Sequence, residues 1–247
     1  MALLELENFS VFAGEKEIVK GISLEIGKGE VHVIMGQNGA GKTTLLSALA
    51  GNPRLCAKGR ATFEGKDLAL MKPHERAKAG ILMAFQSPYE IAGVPFASFL
   101  RRAYSERFGE EISVSEFGKI LSEKMRMLEM GEEFATRSLN EGFSGGEKKK
   151  SELLQLAVLE PKLALVDELD SGLDVDGVKK ISEMLAKLKR EDNSLLIVTH
   201  YARLLRGIKL DAVHIMRHGK IVLSGDERIA KKIDEEGYGW VNRSVWD

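Results

Sequence analysis

Val31-His32-Val33-Ile34-Met35-Gly36-Gln37-Asn38-Gly39-Ala40-Gly41-Lys42-Thr43-Thr44 is the stretch on which the reading of this chain turns. Val31 to Met35 is a short, largely apolar run that stops at Gly36, as a buried strand does. Gly36 to Thr43 satisfies G-x-x-x-x-G-K-[ST], and beyond it Leu45, Leu46 and Leu49 share one helical face. Strand, glycine-rich loop and helix in that order predict a backbone wrapped around phosphates. The glycines permit close approach, the N–H groups turn inward, and the helix start adds a positive dipole end. Gly36, Gln37, Asn38, Gly39, Ala40, Gly41, Lys42, Thr43 and Thr44 form the expected cradle. Lys42 is placed to reach the outer phosphates, and the Thr43 hydroxyl to ligate Mg²⁺. A chance glycine-rich turn matches the same spacing, but it lacks the flanking strand and amphipathic helix.

Outward from this loop, short apolar segments alternate with helical ones. Ile22, Leu24 and Ile26 alternate with Ser23 and Glu25 at the period of a half-buried strand. Met71 to Gly80 reads as helix, and Ile81 to Phe85, Leu163 to Val166 and Leu195 to Val198 read as buried strands. Val178, Ile181, Leu185 and Leu188 make one helical stripe. Ala212 to Met216 and Lys220 to Leu223 flank a turn at His218-Gly219, a predicted hairpin. Apolar strands separated by helices predict an α/β fold with a mostly parallel sheet covered on both faces. From Gln86 to Phe143 strand alternation fades, and Leu121, Met125 and Leu128 recur at helical spacing, so this interval reads as an inserted helical lobe. Within it Ile91, Val94 and Phe96 are either partner anchors or core.

Composition narrows the classes. With 44% apolar and 30% charged residues, the 247-residue chain can build a sizeable core. Lys plus Arg at 36 against Asp plus Glu at 37 gives a net charge of −1, which argues against a chain-wide nucleic-acid footprint. A single cysteine, Cys56, excludes an internal disulfide and any cluster needing several thiolates from this chain, and is expected to be a packing residue. No apolar run approaches the ~18 residues of a membrane span, and the start lacks a basic-then-apolar leader, so a cytoplasmic chain is expected. The sequon Asn242-Arg243-Ser244 is discounted on the same ground.

Two further motifs fit the first. Leu163-Ala164-Leu165-Val166 runs into Asp167-Glu168. At the edge of a parallel sheet beside the phosphate loop, Asp167 is placed to hold Mg²⁺ and Glu168 to polarise the attacking water. Phe143-Ser144-Gly145-Gly146-Glu147 precedes a helix. Ser144 with the Gly145 and Gly146 amides offers a second anion site there. The Lys148-Lys149-Lys150 run that follows reads first as a solvated helix face, with an electrostatic latch near Glu168 or Asp174 as the alternative.

Together, these motifs resemble the ATP-binding-cassette (ABC) ATPases, whose signature loop is L-S-G-G-Q. The resemblance implies a P-loop ABC ATPase fold: a mostly parallel central sheet, an N-terminal antiparallel β subdomain and an inserted helical subdomain. It divides the chain into a catalytic core, 1–86 and 151–247, and a helical subdomain, 87–150, that carries the signature. It implies ATP and Mg²⁺ as ligands, with the signature loop serving the ATP of a second copy. Gln86 matches the Q-loop residue that senses Mg²⁺ and water, Asp170-Ser171-Gly172-Leu173-Asp174 the D-loop, and His200 the switch histidine. Phe12 is the candidate for stacking on adenine. The other histidines, His32, His74, His214 and His218, are read as structural.

Several stretches resemble one branch, the SufC family: Glu30-Val31-His32, Gln86 through Gly93, Phe99-Leu100-Arg101, Asn140 through Lys149, Thr199 through Leu205 and Gly237-Tyr238-Gly239-Trp240. That branch implies ATP-driven work on SufB-like and SufD-like scaffold proteins in iron–sulfur cluster assembly. Gln37, Lys150 and Leu169 depart from the pattern, which usually has proline, arginine and threonine there. Of these, Leu169 bears on the dimer contacts of the D-loop. The competing reading is the nucleotide-binding subunit of a membrane transporter. A DNA-maintenance ATPase needs a longer insertion than Gln86 to Phe143 provides, and a non-hydrolysing switch would need a damaged Glu168 or His200.

Overall fold

A computed structural model describes residues 2–241. Asn242-Arg243-Ser244 lies outside them. The elements run β1 (Ala2–Ala13), β2 (Lys16–Gly27), β3 (Val31–Met35), α1 (Lys42–Leu49), β4 (Leu55–Phe63), β5 (Lys66–Asp67), α2 (Pro73–Ala79) and β6 (Ile81–Ala84). Next come β7 (Ile91–Pro95), α3 (Phe96–Phe108), α4 (Val114–Met127), α5 (Glu133–Thr136), β8 (Ser138–Leu139) and α6 (Gly145–Leu159). The chain continues through β9 (Leu163–Asp167), α7 (Val175–Leu188), β10 (Ser194–Val198), β11 (Ala212–Arg217), β12 (Lys220–Gly225) and α8 (Glu227–Glu236).

Six strands form the central sheet in the order β12-β11-β3-β10-β9-β6. All neighbours in it are parallel except the β11–β12 hairpin at one edge. β3, β9 and β10 are buried along their whole length because both faces of the sheet are covered. Side-chain alternation sorts each strand between two cores. Val31, Val33 and Met35 join Val166, Leu195 and Ile197 against α3, α4, α6 and α7. Ile34, Leu165, Leu196 and Val198 face the other way, onto α1 and an antiparallel sheet of order β2-β1-β4-β5. The predicted α/β architecture with its N-terminal antiparallel layer is the one observed.

The phosphate loop occupies the turn between β3 and α1. Glycine is required at Gly36, where a Cβ would collide with the Met216 carbonyl, and at Gly41, which caps α1 at φ 104°. The hairpin turn braces the same loop. Its two residues, His218 and Gly219, both have positive φ, as a two-residue hairpin turn requires. The Gly219 N–H donates to the Ala40 carbonyl at 3.0 Å.

Some expectations change. The Gln86–Phe143 interval is mainly helical, but it also contains a small antiparallel ribbon, β7 with β8, that joins its two ends. The strand read as Ile81 to Phe85 ends at Ala84, and Phe85 is exposed. Cys56 is exposed on β4 opposite Phe12 rather than packed. Phe96 is core, whereas Ile91 is exposed. Leu169 is fully buried, which places this departure in the core.

Candidate functional site

Parallel topology brings the carboxyl ends of β3, β9 and β10 to one edge, and with them the phosphate loop, Asp167-Glu168 and His200. The loop, Glu168 and His200 line a cavity of about 900 Å³, and Asp167 lies just behind Thr43. Its walls are Asn38 to Thr44 on one side and Gln86, Glu168, Asp170, Ser171, Gly172, His200 and Tyr201 on the other.

At its floor the Lys42 ammonium, 4% exposed, donates to the carbonyls of Gly36 at 2.8 Å and Gln37 at 3.2 Å. It lies 3.4 Å from Glu168 Oε1. Burial lowers its pKa, while Glu168, Asp167 and Asp170 pull it back up. The Thr43 hydroxyl donates to Asp167 Oδ1 at 3.0 Å. Glu168 is held from three sides: by Lys42, by His200 Nε2 at 2.9 Å and by Gln86 Nε2, which donates to Oε2 at 2.8 Å. Its backbone adopts the left-handed region at φ 44°, an uncommon conformation for a non-glycine residue. Asp170 accepts from the Thr199 hydroxyl at 2.8 Å, and its other carboxyl oxygen is buried without a partner.

The cluster carries surplus negative charge. Asp167, Glu168 and Asp170 face one close lysine, and burial raises the Asp167 carboxyl to about 6, with Glu168 adding to the rise. A hard cation would relieve that excess. The neighbouring Thr43 hydroxyl and Asp167 carboxylate are the oxygen donors Mg²⁺ prefers, with phosphate oxygens and water completing its shell. Among the described residues no group of three or more His, Cys, Asp or Glu is placed to hold a metal ion.

Ser144, Gly145 and Gly146 do not line this cavity. They open α6, where Ser144 Oγ accepts from the Glu147 N–H at 3.3 Å and Glu147 Oε2 accepts from the Ser144 N–H at 2.7 Å. That return bond and the Arg137 guanidinium hold the Glu147 carboxyl down at about 2. Ser144 and Gly145 stay exposed.

Phe12 is not part of the cavity. Its ring lies beneath the Lys58 ammonium, and the adjoining strand contributes Lys16 and Ile18 to the lining instead. The solvated-face reading of the lysine run fails at Lys149, which is 5% exposed and donates to the Gln86 carbonyl. Lys148 pairs with Glu90 at 2.6 Å. Sequence reasoning gave no cavity role to Lys16, Ile18, Asp170 or Tyr238. Tyr238 lies in the closing Gly237–Trp240 stretch, and burial raises its phenol to about 12 while the Gly36 backbone opposes the rise. The motif match was the available signal.

A phosphate loop on a parallel sheet, acids at the adjoining strand end and a serine-capped signature helix define a nucleotide-binding cassette. Comparison with known proteins agrees: the ABC transporter family matches residues 19–171. A probable ATP-dependent transporter of Synechocystis (slr0075) is 46% identical over 98% of this chain and 97% of its own. Vegetative protein 296 of Bacillus subtilis is 46% identical over 98% and 94%. Among solved structures, MJ1267, an ATP-binding cassette of an ABC transporter, superposes with a TM-score of 0.76 at 26% identity over 96% of each chain. The chain belongs to the ABC transporter ATPase family. It is an ABC-type ATP-binding subunit and an ATP hydrolase.

Proposed function

We propose that hydrolysis takes place at the Lys42–Glu168–His200 cluster, between two copies arranged head to tail. The observation that carries this reading is the Glu168 carboxylate, held in the cavity by a lysine, a histidine and a glutamine. Lys42 and the loop N–H groups neutralise the outer phosphates, and Glu168 orients the attacking water. His200 contacts the γ-phosphate, and Gln86 fixes the carboxylate. Mg²⁺ would be held by Thr43, Asp167 and Gln86 and would supply charge neutralisation to the bound phosphates. The exposed Ser144–Gly146 loop, outside its own cavity, is free to cap the nucleotide of a second copy. The dimeric cassette MJ0796, at 23% identity and a TM-score of 0.76, shares this fold.

The finer reading is that the cycle drives SufB-like and SufD-like scaffold proteins in iron–sulfur cluster assembly in the cytoplasm. In it, the catalytic core spans 1–86 and 151–247, and the helical subdomain 87–150 passes the motion on. Its support is the motif resemblance beyond the phosphate loop, including Gly237-Tyr238-Gly239-Trp240, whose Tyr238 lines the cavity. A second reading has its own support. Relatives similar over nearly the whole chain are described as probable ATP-dependent transporters or ABC transporter ATP-binding proteins, which favours a membrane permease as partner. Among the described residues no helix is long and apolar enough to cross a membrane.

Affinity purification of the tagged chain from its native cells, with mass spectrometry of what accompanies it, separates the two. SufB- or SufD-like proteins that raise its ATPase rate support the first reading. A permease overturns it and leaves the hydrolysis chemistry standing.

A further inference from the structure

Two polar side chains buried in α6 have no part in that scheme. Lys149 is 5% exposed and Glu152 3%, and at three positions apart they share one face of the helix. Glu152 accepts a hydrogen bond from the Phe85 N–H at 2.7 Å, and Lys149 donates to the Gln86 carbonyl. These two groups belong to consecutive residues just past the end of β6, whose last sheet partner is Ala84 against Val166. Beyond that point the backbone is gripped by α6. Burial makes both ions costly: it raises the Glu152 carboxyl to about 7 and lowers the Lys149 ammonium. Buried ionic groups are weak sources of stability, and well-packed apolar residues usually serve as well. Stability alone therefore does not explain two ions aimed at one dipeptide. What that dipeptide holds does: the Gln86 side chain reaches Glu168 at 2.8 Å. The same helix begins at the Ser144 cap, only five positions before Lys149.

We propose that Lys149 and Glu152 are positioning residues: by holding the Phe85-Gln86 backbone to α6 they set the Gln86 side chain against Glu168. The inference rests on the roles proposed for Gln86 and Glu168.

The test measures kcat, KM and ATP affinity of the full-length chain for Glu152→Gln, Gln86→Ala and the double variant. Glu152→Gln is expected to lower kcat about tenfold, with the ATP dissociation constant within about twofold of wild type. It should add less than about twofold once Gln86 is already alanine, as expected of residues acting in one network. Equal fractional losses in both backgrounds overturn the inference. So does a lowered thermal midpoint with wild-type kcat per folded molecule, which is what a purely structural carboxylate gives. If Gln86→Ala itself leaves kcat unchanged, the inference falls together with the role given to Gln86, while Glu168→Gln still judges the hydrolytic site. Should Glu152→Gln fail to fold, Lys149→Met takes its place under the same criteria.

Discussion

Both ends of the central sheet bury polar groups, and they differ in whether those groups are finished. Toward the strand starts, His32 on β3 faces His214 on β11 at 3.0 Å between ring nitrogens. The second nitrogen of His32 lies 3.0 Å from Glu30, and that of His214 lies 2.8 Å from the Ser224 hydroxyl. Each ring nitrogen has a partner, and burial, with His32 beside it, lowers the His214 pKa to about 4, so the ring is neutral. At the carboxyl ends the network is incomplete. Three acids face one close lysine, an Asp170 oxygen has no partner, and everything opens onto a cavity. Burial of charge therefore does not mark the site. An unbalanced charge set facing space for a ligand does.

The contrast can be broken most directly at Glu168. Glu168→Gln should lower kcat by roughly 10²-fold or more while ATP still binds, the range expected for losing a general base. Wild-type turnover in a steady-state ATPase assay would remove the carboxylate from the chemistry. Next in size, Lys42→Ala should weaken ATP binding by about tenfold or more in a fluorescent-nucleotide titration, because a buried charge-assisted contact is lost. Unchanged affinity would show that the ammonium serves only the Gly36 and Gln37 carbonyls.

At the finished end the expected effects fall on stability. His32→Ala leaves His214 Nε2 buried without its partner, so urea unfolding should show a loss of about 1–3 kcal/mol, with kcat per folded molecule unchanged. A fall in kcat would tie the two ends together. The smallest effect is spectroscopic: the His214 ring should stay neutral until the pH nears 4. Since its folded pKa lies below the ordinary 6.5, the unfolded chain binds the proton first. Its contribution is complete above about 6.5 and is lost as the pH falls toward 4, a total of about 3 kcal/mol. Asp167 and Glu152 have raised pKa values and contribute with the opposite sign, losing stabilisation as the pH rises toward about 6 and 7. Histidine NMR is therefore the cleaner probe than a global melt. A midpoint near 6.5 would mean that water reaches the pair.

Much of the site was legible because its parts are local. The phosphate loop, the strand ending in Asp167-Glu168 and the Ser144 cap each lie within a few residues, with burial periodicity on either side. What escaped depends on distant chain. Three consecutive lysines carry no period, so nothing in 148–150 marks the middle one as buried; the Gln86 carbonyl that takes it is 63 positions away. Phe12 and the cavity-lining Ile18 sit on neighbouring strands whose register shifts between Val11 and Phe12, an irregularity that alternation alone does not reveal. The β7–β8 ribbon pairs a five-residue strand with a two-residue one, too short for alternation to show.

That ribbon bears on what the fold can tolerate. β7 and β8 run side by side, and the Phe96 N–H closes the pair onto the Arg137 carbonyl at 2.9 Å. The chain therefore leaves for its helical excursion and returns through two neighbouring strands, about 4.8 Å apart in such pairs. The excursion is closed at its mouth yet fused to the body, since Leu100 of α3 and Leu121 and Met125 of α4 share one core with Val33, Val166 and Ile197 of the sheet. Helices grafted between residues 97 and 136 therefore have to restore that apolar face, and only their outer surface is left to vary.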